Sequence, residues 1–214
     1  MPAPAQIGYL IPTREAIMEG RHEAAPLMRL AETAEDLGYD SVWIGDSITA
    51  RPRHEPLTLM AGIAGRTKRV KLGTAVLLPA LRNPVVLAHI VSTLDQVSDG
   101  RVILGYGIAG DVPNIRAEFE ACGVPFEKRI GRMIEGLKLC QALWTGEKVD
   151  WNGYWKLEGQ QIGPVPAAAT RTRSNAPPAT STAGSRRGRA PRYATISGSR
   201  FGSTRCRKTA SRTT

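Results

Sequence analysis

Between Val70 and Gly107 the hydrophobic positions follow two rhythms in succession. Val70 to Leu78 is a nearly unbroken run of apolar and β-favouring residues, the pattern of a strand buried on both faces, and Pro79 closes it. Asn83 and Pro84 then stand where a helix N-cap and first helical residue belong. Leu87, Val91, Leu94 and Val97 recur at helical spacing, and Asp99 and Gly100 stop the helix. Val102 to Leu104 begins a second buried strand, which Gly105, Tyr106 and Gly107 carry into a loop. The stretch is a βαβ unit, and a ligand is expected at the C-terminal ends of its strands.

The preceding chain repeats the same alternation. Gln6 to Ile11 reads as a strand, Ala25 to Leu37 as a helix with Leu27, Leu30, Ala34 and Leu37 on one face, and Ser41 to Ile44 as a short buried strand. Pro56 opens a helix that turns Leu57, Met60 and Ile63 inward and ends near Gly65. The strand centres Ile7, Val42, Leu72 and Ile103 lie 35, 30 and 31 residues apart. A repeated βα unit of about 30 residues produces that spacing and predicts an all-parallel sheet with helices outside it. Residues 111–122 read as a loop with one helical stretch. A long helix is predicted from about Pro125 to Trp144, with Phe126, Ile130, Met133, Leu137, Cys140 and Trp144 inward. Asn152 and Gly153, between alternating aromatic positions of Val149 to Leu157, predict a hairpin. Gly163 to Pro166 then leads towards a fifth core strand that the residues beyond do not supply.

Composition changes the picture at that point. Residues 167–214 contain 11 of the 29 Lys and Arg and no Asp or Glu, which leaves 18 basic against 19 acidic residues in the near-neutral body. They also lack Leu, Val, Met and Trp, so they cannot bury enough apolar surface to offset an ordering entropy of about 1–2 kcal/mol per residue. The sequence therefore divides into residues 1–166, a packed α/β domain, and 167–214, a basic tail expected to be disordered. Two origins of the tail are open: an arm that binds nucleic acid through phosphates, or a reading frame lost near Pro166. The abrupt change of composition in mid-architecture favours the second. Cys122, Cys140 and Cys206 have neither close pairing nor CxxC spacing, so a reducing cytoplasm is expected and a zinc site is not. The apolar run Ile7 to Ile11 is too short for a signal-peptide core, and no segment approaches the roughly 18 apolar residues of a membrane span.

Candidate chemistry is sparse when read from residues alone. GYGIAG at Gly105 to Gly110 matches the dinucleotide fingerprint formally, but Asp111, Val112 and Pro113 interrupt where the last glycine should open a helix. Asp46 lies just past the second strand, either as a turn residue or at a functional loop. His22, His54 and His89 lack metal-ligand spacing, and no nucleophile elbow occurs.

Four blocks, taken together, resemble the luciferase-like monooxygenase superfamily, the flavin- and deazaflavin-dependent TIM-barrel oxidoreductases. They are LGYDSVWIGD (Leu37 to Asp46), RVKLGTAVLLP (Arg69 to Pro79), RNPVVLAHIVSTLDQVSDGRVILGYG (Arg82 to Gly107) and GVPFEKRIGRMIEGLKLCQALWTG (Gly123 to Gly146). The resemblance covers about residues 5–166. It implies a (β/α)8 barrel of which the first four to five βα units are present, and an FMN or deazaflavin (F420-type) cofactor over the C-terminal strand ends. The family's non-proline cis peptide maps to Ala75 and Val76. Leu78, Gly107 and Ile108 map to further ring contacts, and Asp46 to the acidic residue beside the cofactor. The histidine of sugar-phosphate dehydrogenating relatives is Ser47 here, and their glutamate after the fourth strand aligns with Gly110, one place before Asp111. The implied partner is a small organic substrate. Because later strands of the family grip much of the cofactor's phosphate, binding is expected to be weak or lost in this chain. Exposed sheet edges make a homo-oligomer possible, and the alternative to an enzyme is a half-barrel with a nucleic-acid-binding tail.

Overall fold

The computed structural model describes residues 5–167. Four strands, β1 (Gly8–Leu10), β2 (Ser41–Ile44), β3 (Lys71–Leu77) and β4 (Val102–Tyr106), pair in sequence order into one parallel sheet. Each crossover places a helix on the same face: α2 (Ala24–Asp36), α3 (Pro56–Ala64) and α4 (Pro84–Val97). Beyond β4 come α5 (Pro113–Ala121), α6 (Arg129–Leu143) and an antiparallel hairpin of β5 (Val149–Asn152) and β6 (Lys156–Gln160). This is half of a (β/α)8 barrel, with four of its eight strands among the described residues.

Local chemistry sets these boundaries. The Asn83 side chain accepts from the amides of Val85 and Val86, with Pro84 as the first helical residue of α4. Glu55 caps α3 in the same way through the Thr58 amide at 2.6 Å. Strand register then sorts the sheet into two faces. Val42, Ile44, Leu72 and Leu104 are buried beneath the helices with Leu57, Met60, Ile63, Leu87 and Val91. On the other face, Leu10, Trp43, Gly73 and Ile103 lie opposite one another in a single row. The Trp43 indole lies across this row, so close to Gly8 and Gly73 that a β-carbon at either would collide with it.

Two expectations need correction, and one element has no counterpart among them. A helix α1 (Thr13–Met18) follows β1 directly; at six residues it is too short to show a helical period. The inward face of α6 is Gly136, Leu139, Cys140 and Leu143, whereas Ile130 is exposed. A 3-10 turn at Phe126–Lys128 precedes α6 and breaks the phase, and Gly136 faces the side chains of Pro84 and Trp155. The hairpin loop is Gly153 to Trp155 rather than a two-residue Asn-Gly turn, because Glu135 of α6 accepts from the Tyr154 amide and the Trp151 indole.

Among the described residues no helix is long and apolar enough to cross a membrane, and no cluster of His, Cys, Asp and Glu could hold a metal. Ala167, assigned above to the tail, is buried, and its amide donates to Asp95. The expectation of disorder over the remainder, 168–214, lies outside the described residues.

Candidate functional site at the strand ends

The C-terminal ends of β2, β3 and β4 converge on one ledge, and a buried ion pair shapes it. Asp46, two residues past β2, has a side chain only 1% exposed. Its carboxylate accepts from the Leu78 amide at 2.9 Å and from both terminal nitrogens of Arg82 at 2.6 and 3.1 Å. The same guanidinium reaches Glu55 at 3.0 Å. Burial alone would lower the Arg82 pKa, but the hydrogen bonds and charges of Asp46 and then Glu55 outweigh it and hold the value above the ordinary one. Asp46 therefore spends its charge inside the protein: it holds the end of β3, through Leu78, against the end of β2.

Between those anchors the ladder of β3 against β4 shifts register from Thr74 to Leu77, and the Ala75–Val76 peptide is cis. The Thr74 hydroxyl donates to the Gly105 carbonyl and accepts from the Gly105 amide, both at 3.0 Å, which fixes β4 on the near side of the irregularity. The Gly107 amide donates to the Leu77 carbonyl on the far side. A side chain at Gly107 would collide with Val76, so the glycine lets the end of β4 close over β3. Ala75 is exposed, Val76 half-buried, and Ile108 is 45% exposed, whereas Leu78 is buried. The six residues predicted from sequence thus gather at one end of the sheet, with Ala75, Val76 and Ile108 presenting apolar surface and Asp46 and Leu78 supporting it from within.

Two features of this end were not anticipated from sequence. Glu118, on α5, is 1% exposed and points one carboxylate oxygen into the turn after Asp46. That oxygen accepts from the Ser47 hydroxyl at 2.8 Å and from the amides of Ile48, Thr49 and Ala50 at 2.5, 2.8 and 3.1 Å. Burial by itself would raise the Glu118 pKa, but these hydrogen bonds more than compensate and hold it below the usual carboxylate value. No local sequence signal distinguishes Glu118 from its neighbour Glu120, because its partners lie about 70 residues away. Arg53 is the second: its guanidinium packs against Gly45, where a β-carbon would collide with it. Burial and then the nearby Arg14 lower the Arg53 pKa.

Burial pushes the Tyr106 phenol upward and the Cys140 thiol up to about 12, and Cys140 packs between α6 and α4 with its sulfur on the Pro84 carbonyl. Two open hollows of about 430 Å³ each lie at the hairpin and α6, lined by residues such as Trp151, Asn152 and Glu135, away from the strand ends. The apolar ledge suits the face of a flat ring, and Arg53 suits an anionic group beside it.

A family model described as luciferase-like monooxygenase matches residues 5–197, farther than the span of 5–166 suggested by the four sequence blocks. An F420-dependent glucose-6-phosphate dehydrogenase of Amycolatopsis mediterranei is 40% identical over 144 residues, covering 64% of this chain and 43% of that protein. Its counterpart in Nocardia farcinica is 37% identical over 147 residues, covering 65% and 44%. The crystal structure of monooxygenase RslO1 from Streptomyces bottropensis superposes with a TM-score of 0.66 at 29% identity, over 76% of this chain and 50% of that one. The chain thus spans less than half the length of the curated relatives it matches.

Proposed function

The chain belongs to the luciferase-like monooxygenase family, and on that premise we propose that its strand-end ledge is the cofactor platform of a flavin- or deazaflavin-dependent oxidoreductase acting on a small organic substrate. The observation that carries the reading is the convergence of Ala75, Val76, Leu78, Gly107 and Ile108 on the register shift at the end of β3. Ala75, Val76 and Ile108 offer apolar surface to one face of the ring, Gly107 brings backbone close, and Asp46 with Arg82 keeps the platform rigid. When bound, the cofactor supplies hydride transfer or, in its reduced form, activation of oxygen. The protein supplies placement, exclusion of water and fixed charge.

We assign the deazaflavin as the cofactor, because the Amycolatopsis and Nocardia relatives are F420-dependent. The substrate, in this reading, is not the sugar phosphate of those relatives. At their histidine position Ser47 donates its hydroxyl proton to Glu118 and accepts from the Arg51 amide, and a hydroxyl oxygen lacks the basicity of an imidazole nitrogen needed to take a substrate proton. At their glutamate position stands Gly110, and the adjacent Asp111 accepts from Nε and one terminal nitrogen of the Arg116 guanidinium. Arg53 instead offers a cation to an anionic substituent of the substrate.

Fluorescence titration tests this reading. F420 is expected to bind with a Kd on the order of 1 mM, about −4 kcal/mol, and more tightly than FMN. Gly107→Val, which fills the approach between β3 and β4, should abolish saturable binding. Binding that is equally strong in that variant would place the cofactor elsewhere and defeat the proposal.

A further inference from the structure

On the platform reading above, we propose that Arg129, the first residue of α6, is a positioning residue: it clamps the loop after β4 and so sets the ring-facing surface of Ile108. Arg129 Nε donates to the Ile108 carbonyl at 3.1 Å, and a terminal nitrogen donates to the Phe126 carbonyl at 3.1 Å. One guanidinium thus ties the chain just past β4 to the 3-10 turn that precedes α6. Its central carbon lies 3.8 Å from the centroid of the Phe126 ring, within reach of a cation–π attraction. Phe126 is buried and meets Phe119 of α5 edge to face at 5.4 Å, so the ring that carries the arginine is itself fixed. Two carbonyls and a ring are served at once by the planar fork, which a lysine ammonium cannot reproduce.

The far end of the same loop is held in a similar way. Arg116 also approaches the Phe126 ring, at 4.4 Å. It donates to Asp111 through Nε at 2.6 Å and a terminal nitrogen at 2.8 Å, and to Glu127 at 2.7 Å. Residues 108–111 are therefore gripped at both ends by guanidiniums gathered on one aromatic ring. Between the grips Ala109 has a φ of 61°, in the left-handed region that residues with a β-carbon rarely adopt. Its side chain packs against the cluster of Phe119 and Phe126. Such a backbone persists only where its surroundings impose it, and the two arginines supply the holds on either side. One residue before the clamp, the Gly107 amide donates to the Leu77 carbonyl, so the bond at Ile108 continues the fastening of β4 onto β3 beyond the sheet. Arg129 thus acts on the platform through Ile108.

Amide exchange of the full chain, followed by NMR without cofactor, tests the clamp separately from the cofactor reading. In Arg129→Ala the Gly107 amide should exchange at least about 10-fold faster, while the amides of 68–70 keep their wild-type rates. Arg129→Lys, which keeps a cation at Phe126 but loses the fork, should show a smaller acceleration and serves if the alanine variant does not fold. F420 titration then separates positioning from general loosening. Arg129→Ala should raise Kd about 5-fold in the wild-type background and less than about 2-fold in Ile108→Ala, which has already lost the side chain being positioned. Unchanged Gly107 exchange overturns the inference whatever binds. So do equal losses of affinity in the two backgrounds, because Arg129 would then act by a route other than Ile108. Faster Gly107 exchange in a chain whose wild-type form binds no F420 would uphold the clamp and defeat the cofactor reading alone.

Discussion

The two ends of the β-sheet solve the same problem with the same device and reach opposite results. At the N-terminal end, Glu35 of α2 accepts from the amides of Lys68, Arg69 and Val70 as the chain enters β3. At the C-terminal end, Glu118 accepts from three successive amides as the chain leaves β2. Each carboxylate satisfies backbone donors that the sheet cannot reach, and a buried amide left without a partner would cost about 1–3 kcal/mol. Arg101 then seals the N-terminal end: its guanidinium donates to the carbonyls of Ser98, Val70, Ala64 and Thr67 and to the Thr67 hydroxyl. At the other end Arg82 is drawn sideways by Asp46 and Glu55, and Ala75 and Ile108 stay exposed. A carboxylate that ties a loop is therefore a structural part at either end, and what differs is the ledge left open at the C-terminal one, where the cofactor platform is proposed.

The sharpest way to break this comparison is to remove the two carboxylates. Glu35→Ala and Glu118→Ala should each lower unfolding free energy by about 3 kcal/mol, since each leaves at least three amides unpaired. Their effects on hydrogen exchange should separate: Glu35→Ala deprotects the amides of 68–70, and Glu118→Ala those of 48–50. If both variants loosen the same segments, the two ends are not independent.

Acid offers a smaller, graded test. Burial would raise both pKa values, but the amides of Val70, Arg69 and Lys68 hold Glu35 below the ordinary carboxylate value, as the Ala50 amide, the Ser47 hydroxyl and the Thr49 and Ile48 amides hold Glu118. A lowered folded-state pKa contributes stability that is complete above the unfolded value of about 4.3 and is lost as pH falls through the folded value. Urea midpoints should therefore drop between about pH 5 and pH 3, with a shallower drop in the double variant Glu35→Gln/Glu118→Gln. An equally steep drop in that variant would assign the acid sensitivity to other carboxylates.

The smallest effect belongs to Ser47. Ser47→Ala removes one donor from Glu118 and one acceptor from Arg51, at a cost of about 1 kcal/mol, and should leave F420 affinity unchanged if the hydroxyl has no part in the site. A loss of affinity without a loss of stability would return Ser47 to the chemistry.

The amino-acid sequence by itself determined the parallel βα order, most element boundaries and the six residues gathered at the strand ends. Those features rest on local signals: the Asn83–Pro84 helix start, the unbroken apolar run of β3, the glycines that close each helix, and motif blocks long enough to carry a resemblance. The tertiary structure alone decided which charges are spent and which are offered. Asp46 reads from sequence as a cofactor neighbour, yet its carboxylate is consumed by Arg82 and Leu78, 36 and 32 residues away. Glu118, Glu35 and Arg101 are ordinary charged residues in the sequence and become anchors only because the fold delivers distant backbone groups to them. A hydrogen bond depends on position in three dimensions, whereas periodicity records only neighbours along one, so ion-pair and amide partners stay invisible until the sheet has brought its loops together.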